Sequence, residues 1–360
     1  MTTNAPKRTI ISVDAMGGDQ GPAAVVAGLA LSADKNPDIG FLLHGDKPTL
    51  EKLLDRTPEL AGSVEIRHAE EVVTMDAKPS YVMRNGQQTS MWSTIDAVRA
   101  GEADVAVSCG NTGALMLLSM VRLRKLPGVN RPAIACLWPS RNPGGFNIML
   151  DVGADIRADD TDLLQYAMMG ASYARNGLGI TRPRIGLLNV GTEEHKGHPV
   201  LKSAHELITN AADAANIDFV GFVEGVDIPS DRVDVIVTDG FTGNVALKTA
   251  EGTADLMAGF IRESFTETLF SKLAALVSMT SLGRLKKRMD PRRSNGGVFL
   301  GLNGTVVKSH GSADATAISA AVKLAFTLAR SGFNEKLAAR VASTETPRQD
   351  SASTKGEQQE

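Results

Sequence analysis

Short runs of branched apolar residues alternate along this chain with stretches whose apolar positions recur every three or four residues. Residues 9–13 (TIISV), 39–45 (IGFLLHG) and 64–68 (VEIRH) have the look of strands. Between them, residues 22–34, with Pro22 near the first turn, and residues 48–56 have helical spacing. This rhythm predicts a βαβαβ opening and a parallel sheet with helices on both faces. Residues 70–90 are polar and irregular, with Lys78, Pro79 and Arg84, and read as a lid or helix-loop element beside a cleft. A helix over 94–100, a strand over 104–108 and a helix over 115–123 follow. Strands 133–138 and 147–150 are joined by a turn at 141–145. Then come helix 159–176, strand 184–190, helix 200–215 and strand 217–223. Strand 233–237 leads through a turn at 238–244 into apolar positions Leu247, Ala250, Ala254, Met257 and Ile261. Residues 295–304 return as Gly-rich strand and turn, 305–308 as a strand, and 312–330 as a last helix that 334–342 extend.

Ligands of such sheets sit beyond the carboxyl ends of the strands. Three strand ends, at 108–114, 189–197 and 238–244, carry Gly together with Asn or Thr. Strand, Gly-rich turn and helix together offer free N–H groups and a positive dipole end to an anion. Any one of them is equally an ordinary connection capped by Asp or Asn. Three that converge on one sheet edge would make a pocket for a small anion. No Gly-x4-Gly-Lys-Ser/Thr and no clean GxGxxG occurs, so no nucleotide and no other cofactor is expected.

A net charge of -3 argues against general nucleic-acid binding. Cys109 and Cys136 make no disulfide framework, and neither falls in a metal-ligand cluster. No uninterrupted apolar run approaches the roughly 18 residues of a membrane span, and the N-terminal residues lack a signal-peptide core. These features predict a soluble, intracellular protein. The predicted organisation is a polar tail over 1–8, one α/β catalytic domain over 9–342 and a disordered tail over 343–360.

The segments VDAMGGD (13–19), CGNTGA (109–114), DVGA (151–154), NVGTEEHKG (189–197), VTDGFTGNVALKTAEG (237–252) and GLNGTVVKSHGSAD (301–314) occur in this order. Together they resemble the signatures of the phosphate acyltransferase family PlsX, over about residues 9–330. The resemblance implies a three-layer α/β/α fold with a mostly parallel sheet, like that of phosphotransacetylases and isocitrate dehydrogenases. It implies a homodimer that converts acyl-ACP and inorganic phosphate to acyl phosphate and free acyl carrier protein. That product would feed phospholipid synthesis through a downstream acylglycerol-phosphate synthesis enzyme. Two positions depart from the family pattern: Cys109 where Ala is common, and Asp155 where Asn is common.

Such chemistry needs no strong base. Phosphate near neutral pH is already nucleophilic, and a pantetheine thiolate, with a pKa near about 8.5 if it behaves like cysteine, leaves readily. Phosphate attacks the thioester directly, with no covalent enzyme intermediate. The site needs cations for phosphate and preorganised donors for the carbonyl oxyanion, each worth roughly 10²–10³ in rate. Lys196 is the candidate phosphate cation. Asn111, Thr112, Gly113, Thr242, Gly243 and Asn244 are candidates to hold phosphate or polarise the acyl carbonyl. Asp239 would orient Lys196 or handle the thiol proton. Lys308 and His310, at and just beyond the end of strand 305–308, are further candidates. No metal is expected.

Residues 262–293 form an amphipathic basic insertion. Phe265, Leu269, Leu273 and Leu276 recur at helical spacing, ahead of Arg284, Lys286, Lys287, Arg288, Arg292 and Arg293. Three readings compete: a hairpin packed on a dimer partner, a dock for acidic acyl carrier protein, and a foot on an anionic membrane at its inner face. Other functions on the same fold are acyl transfer from coenzyme A, a dehydrogenase, and a non-enzymatic scaffold for lipid synthesis.

Overall fold

The computed structural model describes residues 8–289 and 296–344, and side chains at 8–284 and 296–339. Most of the two predicted tails therefore lies outside the described residues, as do Arg292 and Arg293. The same holds for the side chains of Lys286, Lys287 and Arg288.

The first part of the chain forms β1 (Thr9–Asp14), α1 (Gly21–Ala33), β2 (Ile39–Gly45), α2 (Lys47–Leu54), β3 (Val64–His68), α3 (Pro79–Asn85), α4 (Ser90–Arg99), β4 (Val105–Ser108) and α5 (Thr112–Arg122). Next come β5 (Ala133–Pro139), β6 (Phe146–Leu150), α6 (Asp160–Leu178), β7 (Arg184–Leu188), α7 (Pro199–Ala211), β8 (Asp218–Val223) and β9 (Val235–Val237). The chain closes with α8 (Gly240–Thr266), α9 (Leu269–Val277), α10 (Met279–Met289), β10 (Gly297–Leu300), β11 (Thr305–Lys308), α11 (Ala315–Arg330) and α12 (Phe333–Thr344).

These strands join in one 11-stranded sheet, in the order β3-β2-β1-β4-β11-β10-β5-β6-β9-β7-β8. Side chains alternate between its faces. Val105 and Val107 pack toward α1, α6 and α11 on one side, while Ala106 faces the opposite side with α4 and α5. Val235 and Val237 likewise separate from Ile236. The result is an apolar layer on each face, covered by helices: an α/β protein with three layers.

The direction of the strands departs from the expectation of strand ends on one edge. Pairing is parallel from β3 to β11 and again from β6 to β8. Between these halves lie three antiparallel pairings, β11–β10, β10–β5 and β5–β6. An odd number of reversals turns the second half over. The turn after β4 therefore leaves one edge of the sheet, and those after β7 and β9 leave the opposite edge. The three Gly-rich turns do not converge on a single edge.

One element bridges the two edges. Helix α8 has 27 residues, about 40 Å at ~1.5 Å per residue. It starts beside the end of β6 and reaches the end of β11, where Glu251 meets His310. Its first turn contains the glycines that the sequence suggests for a loop. Asp239 is the N-cap, its carboxylate accepting from the Thr242 N–H, and Gly240 and Gly243 are already helical. A Cβ on Gly243 would run into the Asp151 carbonyl oxygen, so this glycine permits a close approach of helix to strand end.

The 262–293 insertion is helical in three pieces among the described residues: the end of α8, then α9 and α10. Thr268 caps a new start at α9, where its side chain accepts from the Ser271 N–H. No residue of α9 is buried, and Leu269, Phe270 and Val277 are each more than 80% exposed. No helix among the described residues is long and apolar enough to cross a membrane. Residues 70–90 include α3, which packs against α5.

Candidate functional site

A cavity of about 420 Å³ lies under α8, within the range of about 300–1,000 Å³ usual for small-molecule sites. Its floor is β5, contributing Ile134, Cys136 and Trp138. These alternate residues share one sheet face. Its roof is α8, contributing Asn244, Leu247, Lys248, Glu251 and Ala254. Its polar end is built from the first half's strand ends: Thr112, Lys308, Ser309 and His310.

Three basic side chains meet there. Lys308 is buried; its Nζ donates to the Cys109 carbonyl at 3.4 Å and to the Ser309 carbonyl. Burial pulls its pKa down to about 8; the acids Asp14 and Asp19 oppose that fall and the nearby Lys248 adds to it. Lys248 and His310 both contact Glu251. Lys248 Nζ lies 2.7 Å from Oε2, and His310 Nε2 lies 3.1 Å from Oε1. Burial pushes the Glu251 carboxyl upward, but the hydrogen bonds from His310 and Lys248 win and hold it at about 2. The cavity is thus charged at one end and apolar along the rest of its length.

Two buried acids hold the frame. Asp151 is fully buried and accepts from the N–H groups of Ile134, Gly153, Ala154 and Asp155. Burial raises its pKa against the opposing pull of those bonds. The turn it organises seats α8, and Asn244 Nδ2 donates to the Val152 carbonyl at 3.1 Å. On the other side Asp14 accepts from Ser90 and Ser108, each at 2.7 Å, beneath Lys308.

The residues singled out in the sequence divide. Thr112, Asn244, Lys308 and His310 come together at the cavity. Asn111 lies next to it but is engaged structurally: Oδ1 caps α5 through the Ala114 N–H, and Nδ2 donates to Met75 and Ala77 carbonyls. Those bonds tie the 70–90 segment to the site. Gly113 lies within α5 against Pro79, and Gly243 behind α8 against Asp151. Asp239 and Thr242 bond each other at 2.7 Å as the α8 cap. Lys196 is absent from the cavity lining. It stands exposed beyond β7, 2.7 Å from Glu193 Oε1, whose hydrogen bond raises its pKa. Asp155 does not line the cavity either; it pairs with Arg131 at 3.3 Å. Arg284 is exposed on α10.

A family model described as a fatty acid synthesis protein matches residues 9–336. The phosphate acyltransferase of Paracoccus denitrificans (strain Pd 1222) is 72% identical over 333 residues, 92% of this chain and 90% of its own. That of Jannaschia sp. (strain CCS1) is 69% identical over 345 residues, 96% of this chain and 94% of its own. The chain belongs to the phosphate acyltransferase family. It is therefore an enzyme, a transferase. Among solved structures, a phosphotransacetylase from Streptococcus pyogenes superposes with a TM-score of 0.60 at 18% identity, covering 90% of this chain and 95% of its own. A branched-chain phosphotransacylase from Enterococcus faecalis V583 gives 0.56 at 14% identity, covering 89% and 99%. At such identity these likenesses concern the fold alone.

Within this family member, sequence reasoning passed over Glu251, Ser309 and Trp138, and left Lys248 unassigned. A signal existed for all but Trp138. Asn244, Lys248 and Glu251 are spaced i, i+4, i+7, which puts all three on one face of a helix. Ser309 adjoins two flagged residues. Trp138 reads as ordinary strand core.

Proposed function

We propose that this enzyme transfers an acyl group from acyl carrier protein to inorganic phosphate, releasing acyl phosphate and free carrier, and so feeds phospholipid synthesis. The observation that carries this reading is the two-ended cavity. Buried Lys308 offers a doubly charged phosphate its main counter-charge, with Lys248 and His310, each bonded to Glu251, lining the same end. Ile134, Trp138, Leu247 and Ala254 offer an apolar wall to a fatty chain. Thr112 and Asn244 line the same cavity and would donate to the oxygen of a thioester carbonyl.

Phosphate attacks directly. Burial pushes the Cys109 thiol up to about 11 and the Cys136 thiol up to about 12, so neither supplies a thiolate nucleophile near neutral pH. The carbonyl carbon passes through a tetrahedral oxyanion, and the carrier thiol departs.

Carrier protein and membrane meet the hairpin. The exposed Leu269, Phe270, Leu273 and Leu276 suit a peripheral contact with the inner face of an anionic membrane. The basic run from Arg284 suits acidic carrier protein close to the cleft, in a homodimer. Flotation with anionic liposomes tests the membrane contact: salt-sensitive binding supports it, and its absence removes it.

The test of the activity is release of free carrier thiol from palmitoyl-ACP, with and without phosphate, beside acetyl-CoA. Phosphate-dependent release from the carrier substrate supports the proposal. Faster phosphate-dependent cleavage of the coenzyme A ester would move the enzyme to the phosphotransacetylase class, and no phosphate dependence with either would leave a scaffold.

A further inference from the structure

A carboxylate inside a phosphate site calls for a reason. Glu251 places a negative charge among the three basic groups that phosphate needs, where it repels the substrate by simple Coulomb interaction. It is nonetheless half-buried and bonded on both oxygens: Lys248 at 2.7 Å on Oε2 and His310 at 3.1 Å on Oε1. The pair sits between α8 and the segment after β11, where the polar end of the cavity meets its apolar wall. A thioester with phosphate among the cations and its chain along β5 would bring its sulfur to this junction.

We propose that His310 hands a proton to the departing thiol sulfur, and that Glu251 is its positioning residue. This rests on the acyl transfer proposed above. Phosphate enters as HPO4²⁻ and forms the new C–O bond. The C–S bond breaks, and its electron pair leaves on sulfur. The His310 imidazolium gives its proton to that sulfur, so the carrier leaves as a neutral thiol. The acyl phosphate still holds one P–OH proton, which returns to His310. The sum is thioester plus HPO4²⁻ giving thiol plus acyl phosphate dianion, with the imidazolium restored.

Glu251 on α8 holds the ring by its Nε2, with Lys248 and Lys308 lining the same cavity; Asp19 stands beside Gly311, to whose carbonyl its N–H donates at 2.7 Å. Removing the Glu251 carboxylate removes the acceptor that orients the ring.

The test is kcat at saturating phosphate with two palmitoyl thioesters, one on carrier protein and one on an aryl thiol acidic enough to leave unaided. A thiolate with a pKa near about 8.5 leaves readily even unaided, so for His310→Asn the expected loss on palmitoyl-ACP is modest, roughly tenfold, with most of it absent on the aryl thioester. For Glu251→Gln a smaller loss of the same kind is expected, larger on palmitoyl-ACP than on the aryl thioester, and Glu251→Asp should restore part of it. Equal losses on both thioesters, or a Glu251→Gln enzyme that loses nothing on palmitoyl-ACP, would overturn the proposal. Should His310→Asn fail to fold, His310→Gln carries the same comparison. An unaltered enzyme with no phosphate-dependent cleavage would instead sink the acyl-transfer reading itself.

Discussion

Lys308 and Lys196 both lie close to the carboxyl end of a strand, and the residues around Lys196 advertise it more loudly. Gly191 and Gly197 bracket it, with polar side chains between. Yet the surroundings of the two amines are opposite. Lys196 is exposed and held by Glu193, which raises its pKa. Lys308 is buried, bonded to backbone carbonyls, and brought down to about 8 chiefly by burial. A solvated ammonium with its own carboxylate gains little from binding phosphate. A dehydrated ammonium facing a cavity gains much more, because phosphate replaces solvation it has already lost. The comparison teaches that the cost a charge bears in the folded state separates a phosphate cation from a surface lysine better than the motif around it does.

The widest gap should appear on removing each amine. Lys308→Ala should lower kcat/KM for phosphate by roughly 10²–10³, whereas Lys196→Ala should stay within a few-fold. Steady-state kinetics with phosphate as the varied substrate measures both, and equal losses would erase the distinction.

The frame that carries α8 across the sheet comes next. In Gly243→Ala the new Cβ would meet the Asp151 carbonyl, so the helix must shift. A loss of about 1–3 kcal/mol in stability is expected, read by denaturant unfolding, together with reduced turnover. A variant as stable and active as the parent would show that α8 need not seat there.

The lysines should also part with pH. Folded Lys308 loses its proton as pH rises through about 8, against 10.5 for the ordinary side chain. Below that window the buried charge is a constant cost to folding. Across it the unfolded chain holds the extra proton, so this group's contribution to stability improves as pH rises. Phosphate binding changes the opposite way, and KM for phosphate should rise by up to about tenfold per pH unit above the folded pKa. Lys196→Ala should show the same rise. A flat KM across that range would mean that Lys308 does not hold phosphate.

The smallest effect concerns the apolar wall. Ala254→Leu narrows the cavity away from the charges, so activity on palmitoyl-ACP relative to octanoyl-ACP should fall about fivefold, as small volume changes in apolar pockets do. An unchanged ratio would place the chain elsewhere.

Much of the architecture was legible in the residues. Short apolar runs and period-3.6 patterns located nearly every strand and helix, because central strands are buried on both faces and helices bury one side against the sheet. Strand direction was not. Nothing in GVFL at 297–300 or in FNIML at 146–150 marks an antiparallel strand, since buried strands of either direction are apolar throughout. That hidden reversal sends the turn after β7 to the far edge and separates Lys196 from the cavity. Glycine misled in a related way: Gly113 and Gly243 read as loop residues, but each lies inside a helix because a neighbour passes close by. Asn244, Lys308 and His310 were found from composition near strand ends. Glu251 was not, because an acid in a phosphate site makes sense only once its two basic partners are seen in space.

The most direct test of the central claim is a crystal structure with a palmitoyl phosphonate, a stable analogue of the acyl phosphate. The account predicts phosphonate oxygens within hydrogen-bond distance of Lys308 and His310, and a chain running between Trp138 and Ala254. A phosphonate seated at Lys196 beyond β7, with the cavity under α8 empty, would contradict it.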